Sequence, residues 1–312
     1  GTDCGGYRVK SMKELKFYAS QGIKSAIIAK KLSQNELSTL YNDLRSFGYD
    51  DIKIFTLLSE NESKIKDISI EDLLARKPKD LDKEIIKNYI NSKIILITGA
   101  GGTIGSELCK LCLEFGAKKL IMLDHSEYNL YAINEATNAD ERNVLALIDI
   151  CNQKDLERVI FTHHPDIIFH AAAYKHVPLC EYNAISAVKN NVLGTKNLID
   201  LAIKYAINRV VLISTDKAVR PTNVMGATKR ICELYALNSS SHTTQITGVR
   251  FGNVLGSSGS VIPKFQAQIA KNQALSVTHP QITRYFMLKS EACELVLQAG
   301  SIARGGELFV LD

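Results

Sequence analysis

From residue 93 onward, short apolar runs alternate with segments whose apolar positions recur every three to four residues. "KIILITGA", "KKLIMLD", "NVLALID", "DIIFHAAA", "RVVLIST" and "TQITGVRFGNVLG" read as strands. Between them, "TIGSELCKLCLEFG", "SEYNLYAINEATN", "NQKDLERVIFTHH", "ISAVKNNVLGTKNLIDLAIKYA" and "ATKRICELYALNSS" read as amphipathic helices. A strand that is apolar along its whole length is covered on both faces. Such strands alternating with helices predict an α/β fold, a doubly wound parallel sheet of β-α-β units.

Residues 1–60 follow a similar alternation on a smaller scale. "SMKELKFYASQG" and "SQNELSTLYNDLRSFG" read as helices, and "KSAIIAK" and "DIKIFTLL" as strands. The second helix has a serine cap, a glutamate three residues on and a closing glycine. This fragment is too small for a full core and reads as the last part of a preceding α/β domain. Residues 61–92 are charged and read as a linker with short helices, where Arg76 and Lys77 are candidate ligand or subunit contacts on an otherwise solvated bridge. Residues 93–312 form the main domain. The ends, "GTDCGG" and "GGELFVLD", read as cut edges of a longer chain.

Composition narrows the function classes. The 312 residues suggest about two domains, and 46% hydrophobic with 23% charged residues matches an ordinary globular chain. The net charge of +5 is mild and forms no basic block, which argues against nucleic acid. Seven irregularly spaced cysteines argue against a disulfide framework and for a reducing compartment. Cys109 and Cys112 have C-x-x-C spacing, but without a second pair they read as apolar residues on an inner helix face, and no metal is expected. No apolar run is long enough to span a bilayer, so no membrane contact is expected from this segment.

The first β-α turn carries "ITGAGGTIGSE". Gly99, Gly102 and Gly105 permit a tight turn, close approach of the backbone to a pyrophosphate, and close packing of helix on strand. Thr103 and Ile104 open the helix, whose N-terminal N–H groups and dipole favour phosphate. Asp124 ends the next strand, nineteen residues after Gly105. A carboxylate there accepts from ribose hydroxyls and repels a 2′-phosphate, which favours NAD over NADP. His125 and Ser126 follow it as further candidate contacts. Asp149 and Ile150 end the third strand near the expected adenine. Ala171, Ala172 and Ala173 close the fourth strand with side chains small enough for the cofactor to lie against the backbone.

"STDKAVRPTNVMGATKR" follows the fifth strand, so Ser214, Thr215, Asp216 and Lys217 fall at the ligand-binding end of the sheet. Lys229 lies on the next helix. Many short-chain dehydrogenases carry a tyrosine four residues before such a lysine. Here that position is Met225, whose thioether takes no proton.

Seven segments together resemble the nucleotide-sugar 4,6-dehydratases of the extended short-chain dehydrogenase type: "TGAGGTIGSELC", "LDHSEYNLY", "HAAAYKHVPLCE", "NNVLGTKN", "STDKAVRPTNVMGATKR", "RFGNVLGSSGSVIPKF" and "THPQITRYFM". The likeness runs from about residue 70 to the end. It is narrowest to the long, membrane-anchored UDP-N-acetylglucosamine 4,6-dehydratases of polysaccharide biosynthesis and of Campylobacter and Helicobacter glycosylation, some of which share the methionine. The resemblance implies NAD as cofactor, UDP-N-acetylglucosamine as substrate and a homo-oligomer, with helices 185–206 and 226–239 as its face. It also implies a site on the cytoplasmic side of a membrane whose anchor lies outside this sequence.

The implied reaction oxidises sugar C4, removes water across C5 and C6, and returns hydride to C6. Thr215 would bond the C4 hydroxyl and Lys229 would orient the cofactor. Asp216 would protonate the leaving C6 hydroxyl, with a pKa raised by burial, and Lys217 would be the base at C5. In the first step an ionised Asp216 would take the C4 proton that Met225 cannot. Lys175, His176, Asn191, Asn253, Lys264 and Arg284 are candidate substrate contacts, with a structural helix role the alternative for Asn191 and a surface role for Lys264, and Arg250 either joins them or supports the local loop. A 4-epimerase or reductase, and a silent NAD-binding module, are the competing readings. Neither requires the Asp216 and Lys217 pair.

Overall fold

The computed structural model describes residues 3–4, 7–8, 12–30, 32–59, 62–67, 81–255, 257, 261–277, 279, 281 and 285–311. The chain divides into two compact units, Gly1–Lys79 and Asp80–Asp312. In the first, strands β1 (Asp3–Cys4) and β2 (Tyr7–Arg8) form a small antiparallel pair. β3 (Ser25–Ile28) runs parallel to β4 (Asp51–Ser59), and β5 (Glu62–Asp67) runs antiparallel to β4. The helix Gln34–Phe47 has the expected capping box, Ser33 with Glu36, and stops at Gly48 with φ 97°. Its Leu37 and Leu44 pack with Ile28, Tyr49 and Ile52 as a small core.

The second unit contains a seven-stranded parallel sheet. Its strands are β6 (Ile94–Thr98), β7 (Lys119–Asp124), β8 (Asn143–Leu147), β9 (Ile167–His170), β10 (Arg209–Thr215), β11 (Gln245–Phe251) and, after the two-residue strands β12 (Asn253–Val254) and β13 (Phe286–Met287), β14 (Leu308–Val310). The order is β14-β11-β10-β9-β6-β7-β8. Sequence direction therefore reverses between β6 and β9, which opens a crevice at their C-terminal ends. Alternation along each strand feeds two cores. Ile95, Ile97, Leu120 and Met122 face one layer of helices, and Leu96, Ile121 and Leu123 face the other. This is the expected doubly wound α/β architecture.

Three elements differ from the sequence reading. The expected linker of residues 61–92 contributes strand β5 to the first unit and the helix Lys83–Ile90 to the second, where Ile86 and Ile90 are fully buried. High charge hid both, because an edge strand and a helix with a single apolar stripe need few apolar residues. Arg76 and Lys77 lie outside the described residues. The expected long helix at 185–206 is two α-helices, Ala184–Ala187 and Gly194–Lys204, joined by a π-helical turn, Val188–Leu193. The helix Lys289–Ile302 was not read at all, although buried Ala292, Cys293, Val296 and Leu297 have helical spacing.

Cys109 and Cys112 are buried in the core, where burial raises both thiols. Among the described residues no group of acids, histidines and cysteines could hold a metal, and no helix is long and apolar enough to cross a membrane.

Candidate active site

The cleft begins where β6 gives way to the helix Thr103–Glu114. Gly99 has φ +67°, and a Cβ there would lie 2.8 Å from the backbone nitrogen of Ala172. A Cβ on Gly105 would lie 2.0 Å from the Gly99 carbonyl oxygen, so only glycine lets the helix start this close to the turn. Gly102 caps the helix without a side chain, leaving the first turn open to an anion. Asp124 is buried at the end of β7; it accepts from the Gly101 N–H at 3.1 Å and the Ser126 N–H at 3.0 Å. Those bonds aim the carboxylate at the glycine turn. Gly99, Gly102, Asp124, His125, Asp149, Ile150, Ala171, Ala172 and Ala173 all line one cleft.

Sequence reasoning missed further contributors. Gly101 has no room for a Cβ, which would fall 2.3 Å from that of Asn129. Asn129, Tyr174 and Asn190 line the cleft as well. The adjacent glycines at 101 and 102 were the available signal. Other expected contacts are otherwise engaged. Ser126 caps the helix Glu127–Ala136 through its hydroxyl, and the Ile104 side chain packs on the core. Ser126 can therefore offer little to a ligand beyond its fixed backbone. A larger cavity of about 300 Å³ lies at the opposite, N-terminal edge of the sheet, between Lys93, Asp166, Arg209 and His242. It is remote from every strand C-terminus and has no part in this cleft.

A second polar cluster lies at the end of β10, on the far side of β9 from the glycine turn. Thr215 donates to Asp216 Oδ1 at 2.8 Å. Lys217 Nζ donates to the same oxygen at 2.9 Å and to Asn253 Oδ1 at 3.3 Å. The structure thus brings Thr215, Asp216, Lys217 and Asn253 together. It corrects the raised pKa expected for Asp216, whose side chain is 46% exposed. Burial pushes its carboxyl up, but the bonds from Lys217 and Thr215 outweigh that and hold it below the usual carboxylate range. At rest Asp216 is an ionised acceptor, not a protonated acid.

The helix Val224–Asn238 packs against this cluster. A Cβ on Gly226 would lie 2.3 Å from the Lys217 carbonyl oxygen, so this glycine, also missed, sets the approach. Met225 is 2% exposed and packs with Cys180 and Ala187. It has an apolar structural role and no part in proton transfer. Lys229 is buried, and burial lowers its pKa. His170 bridges Thr98 at 2.7 Å and Thr195 at 2.9 Å. Burial, then the nearby Lys229 charge, push its pKa down to about 3, so it is neutral.

Asn191 is corrected from substrate contact to scaffold. It is 1% exposed; it accepts from the Tyr174 N–H at 2.7 Å and donates to the Tyr174 carbonyl and Thr228 Oγ1, each at 3.0 Å. The π turn carries it, and it fixes the loop after β9. Lys175 and His176 are exposed on that loop. Lys264 is exposed on the helix Val261–Ala270, which buries no residue. Arg284 lies outside the described residues. Arg250 supports the fold by pairing with Glu233.

A sequence profile described as polysaccharide biosynthesis protein matches residues 95–312. The chain is 45% identical over 302 residues to the capsular polysaccharide biosynthesis protein CapD of Staphylococcus aureus, covering 93% of this chain and 50% of that protein. It is 36% identical over 229 residues to a UDP-glucose 4-epimerase of Rickettsia canadensis, covering 70% of this chain and 65% of that one. Among solved structures, Pen from Bacillus thuringiensis is similar with a TM-score of 0.69 and 38% identity, over 72% of this chain and 70% of that chain. The chain spans about half the length of the CapD protein it matches.

Proposed function

The chain belongs to the polysaccharide biosynthesis protein family, and on that premise we propose that it carries the active site of an NAD-dependent nucleotide-sugar enzyme, a UDP-N-acetylglucosamine 4,6-dehydratase. The observation that carries the reading is the Thr215, Asp216, Lys217 and Asn253 cluster beside an apolar Met225. Plain hydride transfer to or from C4 needs one proton acceptor. Loss of water across C5 and C6 needs a base and an acid on neighbouring atoms, and the cluster has two titratable groups in contact.

NAD fits the cleft: the glycine turn and uncapped helix suit its pyrophosphate, buried Asp124 its adenosine ribose, and Ala171, Ala172 and Ala173 its close approach to the sheet. Bound there, it would supply the hydride acceptor for C4 and the hydride donor for C6. The ionised Asp216 accepts the C4 hydroxyl proton, directly or through Thr215. Lys217, its ammonium proton having passed to solvent, takes the C5 proton as base and returns a proton to C5 once hydride has reached C6. Asp216 returns its proton to the departing C6 hydroxyl. Its acid role comes from the proton gained in the first step, so a raised pKa at rest is not required. Buried Lys229 orients the cofactor, while Asn253, Lys175, His176, Lys264 and Arg284 are proposed substrate contacts.

The full-length protein is proposed to be membrane-anchored, with this site on the cytoplasmic side. Self-association is proposed on the face of residues 185–206 and 226–239, where Ile185, Leu193 and Leu234 are exposed. The 4-epimerase is the second reading, favoured by the Rickettsia relative. Incubation with UDP-N-acetylglucosamine and mass analysis separates the two. A product lighter by one water supports the dehydratase, and an isomer of unchanged mass supports the epimerase.

A further inference from the structure

Glu233 is fully buried, and no step above uses it. It lies on the helix Val224–Asn238, one turn after Lys229. Its Oε1 accepts from Ser214 Oγ at 2.6 Å and Arg250 Nε at 2.7 Å, and its Oε2 accepts from Arg250 Nη2 at 2.6 Å and Arg230 Nη1 at 3.1 Å. Ser214 and Arg250 are register partners across β10 and β11. The residue after Ser214 is Thr215, and three residues after Arg250 comes Asn253. The helix that carries Lys229 and the two strands that lead into Lys217 and Asn253, β10 and β11, are therefore tied to one carboxylate. A buried ion pair is weak evidence for stability, since apolar residues of similar size often replace one without loss. Its fixed geometry remains to be explained.

We propose that Glu233 is a positioning residue, clamping β10, β11 and the Lys229 helix so that Lys217 reaches Asn253 and the sugar at the right spacing. The proposal rests on the assignment of Thr215, Asp216 and Lys217 as the reacting set. Misplacement by about 1 Å can slow a reaction on the order of a hundredfold, so Glu233→Gln is expected to lower kcat by roughly tenfold to a hundredfold. NAD affinity should change far less than kcat, because Asp124 and the glycine turn lie on other strands. The double variant Glu233→Leu with Arg250→Leu removes both buried charges. It should regain the unmodified melting temperature and still show the low kcat.

Recovery of both stability and kcat in the double variant would show the pair to be structural only and overturn the proposal. If that variant does not fold, Ser214→Ala decides, since it removes one bond and leaves the ion pair. A reduced kcat with a retained melting temperature supports the clamp, and an unchanged kcat overturns it. The unmodified chain is assayed alongside. If it turns over its sugar without losing water, the dehydratase reading fails, while the clamp is still judged by the ratio of variant to unmodified rate. If it has no turnover, a crystal structure of Glu233→Gln decides: loss of the Lys217–Asn253 contact supports the clamp, and an intact contact overturns it.

Discussion

Replacing Asp216 by asparagine keeps the shape of the side chain and removes its ability to hold a proton. Asparagine can still accept from Thr215 and Lys217 through its carbonyl oxygen, so the cluster should stay assembled. The Asp216–Lys217 pair is partly exposed, with side-chain exposures of 46% and 32%. Pairs of this kind contribute about 0–1 kcal/mol, which for a chain of this size is at most a few degrees in melting temperature. Loss of a positioned acid or base slows a reaction by roughly 10²–10⁴-fold, or about 3–5 kcal/mol of barrier. The kinetic effect should therefore far exceed the effect on stability. Single-turnover NADH absorbance after mixing with UDP-N-acetylglucosamine reads the first step alone. The variant should form NADH at least about a hundredfold more slowly than the unmodified protein, with NAD affinity and melting temperature retained. The sign of the pH dependence follows from the lowered carboxyl pKa. The acceptor form of Asp216 is fully present above the ordinary carboxylate range and is lost only as pH falls through its folded value, so the unmodified rate should show no Asp216 limb near neutral pH. C4 oxidation by Asp216→Asn at the unmodified rate would refute the reasoning, as would a near-neutral acid limb that this substitution abolishes.

Gly105→Ala would put a methyl 2.0 Å from the Gly99 carbonyl oxygen. It should destabilise the fold by about 1–3 kcal/mol and weaken NAD binding at least roughly tenfold, checked by thermal melting and calorimetric titration. His170 has a pKa of about 3 when folded and an unperturbed value of 6.5. Its stabilising contribution is complete above 6.5 and falls as pH drops below it, because the unfolded chain then binds a proton that the folded one does not. Urea midpoints should thus decline more between pH about 7 and about 5 than in His170→Asn, with a slope difference approaching about 1.4 kcal/mol per pH unit; equal slopes would contradict this. Ile185→Glu places a charge on the exposed helical face, and sedimentation should shift to a smaller species with no change in the circular dichroism of the fold.

The features legible in the sequence were those set by local rules. The strand-helix alternation yielded the sheet, because fully covered strands are apolar throughout. The glycine turn was legible because close backbone approach restricts residue type, and Asp124 because it ends the strand beside that turn. The capping box at Ser33 and Glu36 was legible for the same local reason. What stayed hidden depended on tertiary context. Asn191 looked like a ligand contact because a polar residue on a helix behind a site has no local sign of inward bonding, and the π turn that rotates it is invisible to a 3.6-residue period. A raised pKa was expected for Asp216 because burial was weighed without Lys217 and Thr215, whose bonds outweigh it. Gly101 and Gly226 carried their own signal, two more glycines beside known motifs, but their reason lies in Asn129 and in the Lys217 carbonyl, which only the fold brings near.

The central claim is that this cluster removes water across C5 and C6 instead of only moving hydride. The direct measurement is incubation of the protein with UDP-N-acetylglucosamine and NAD in deuterated water, followed by mass and NMR analysis of the sugar. The account predicts a 4-keto-6-deoxy product that has lost one water and carries deuterium at C5. An isomer of unchanged mass, with no solvent deuterium on carbon, would contradict it.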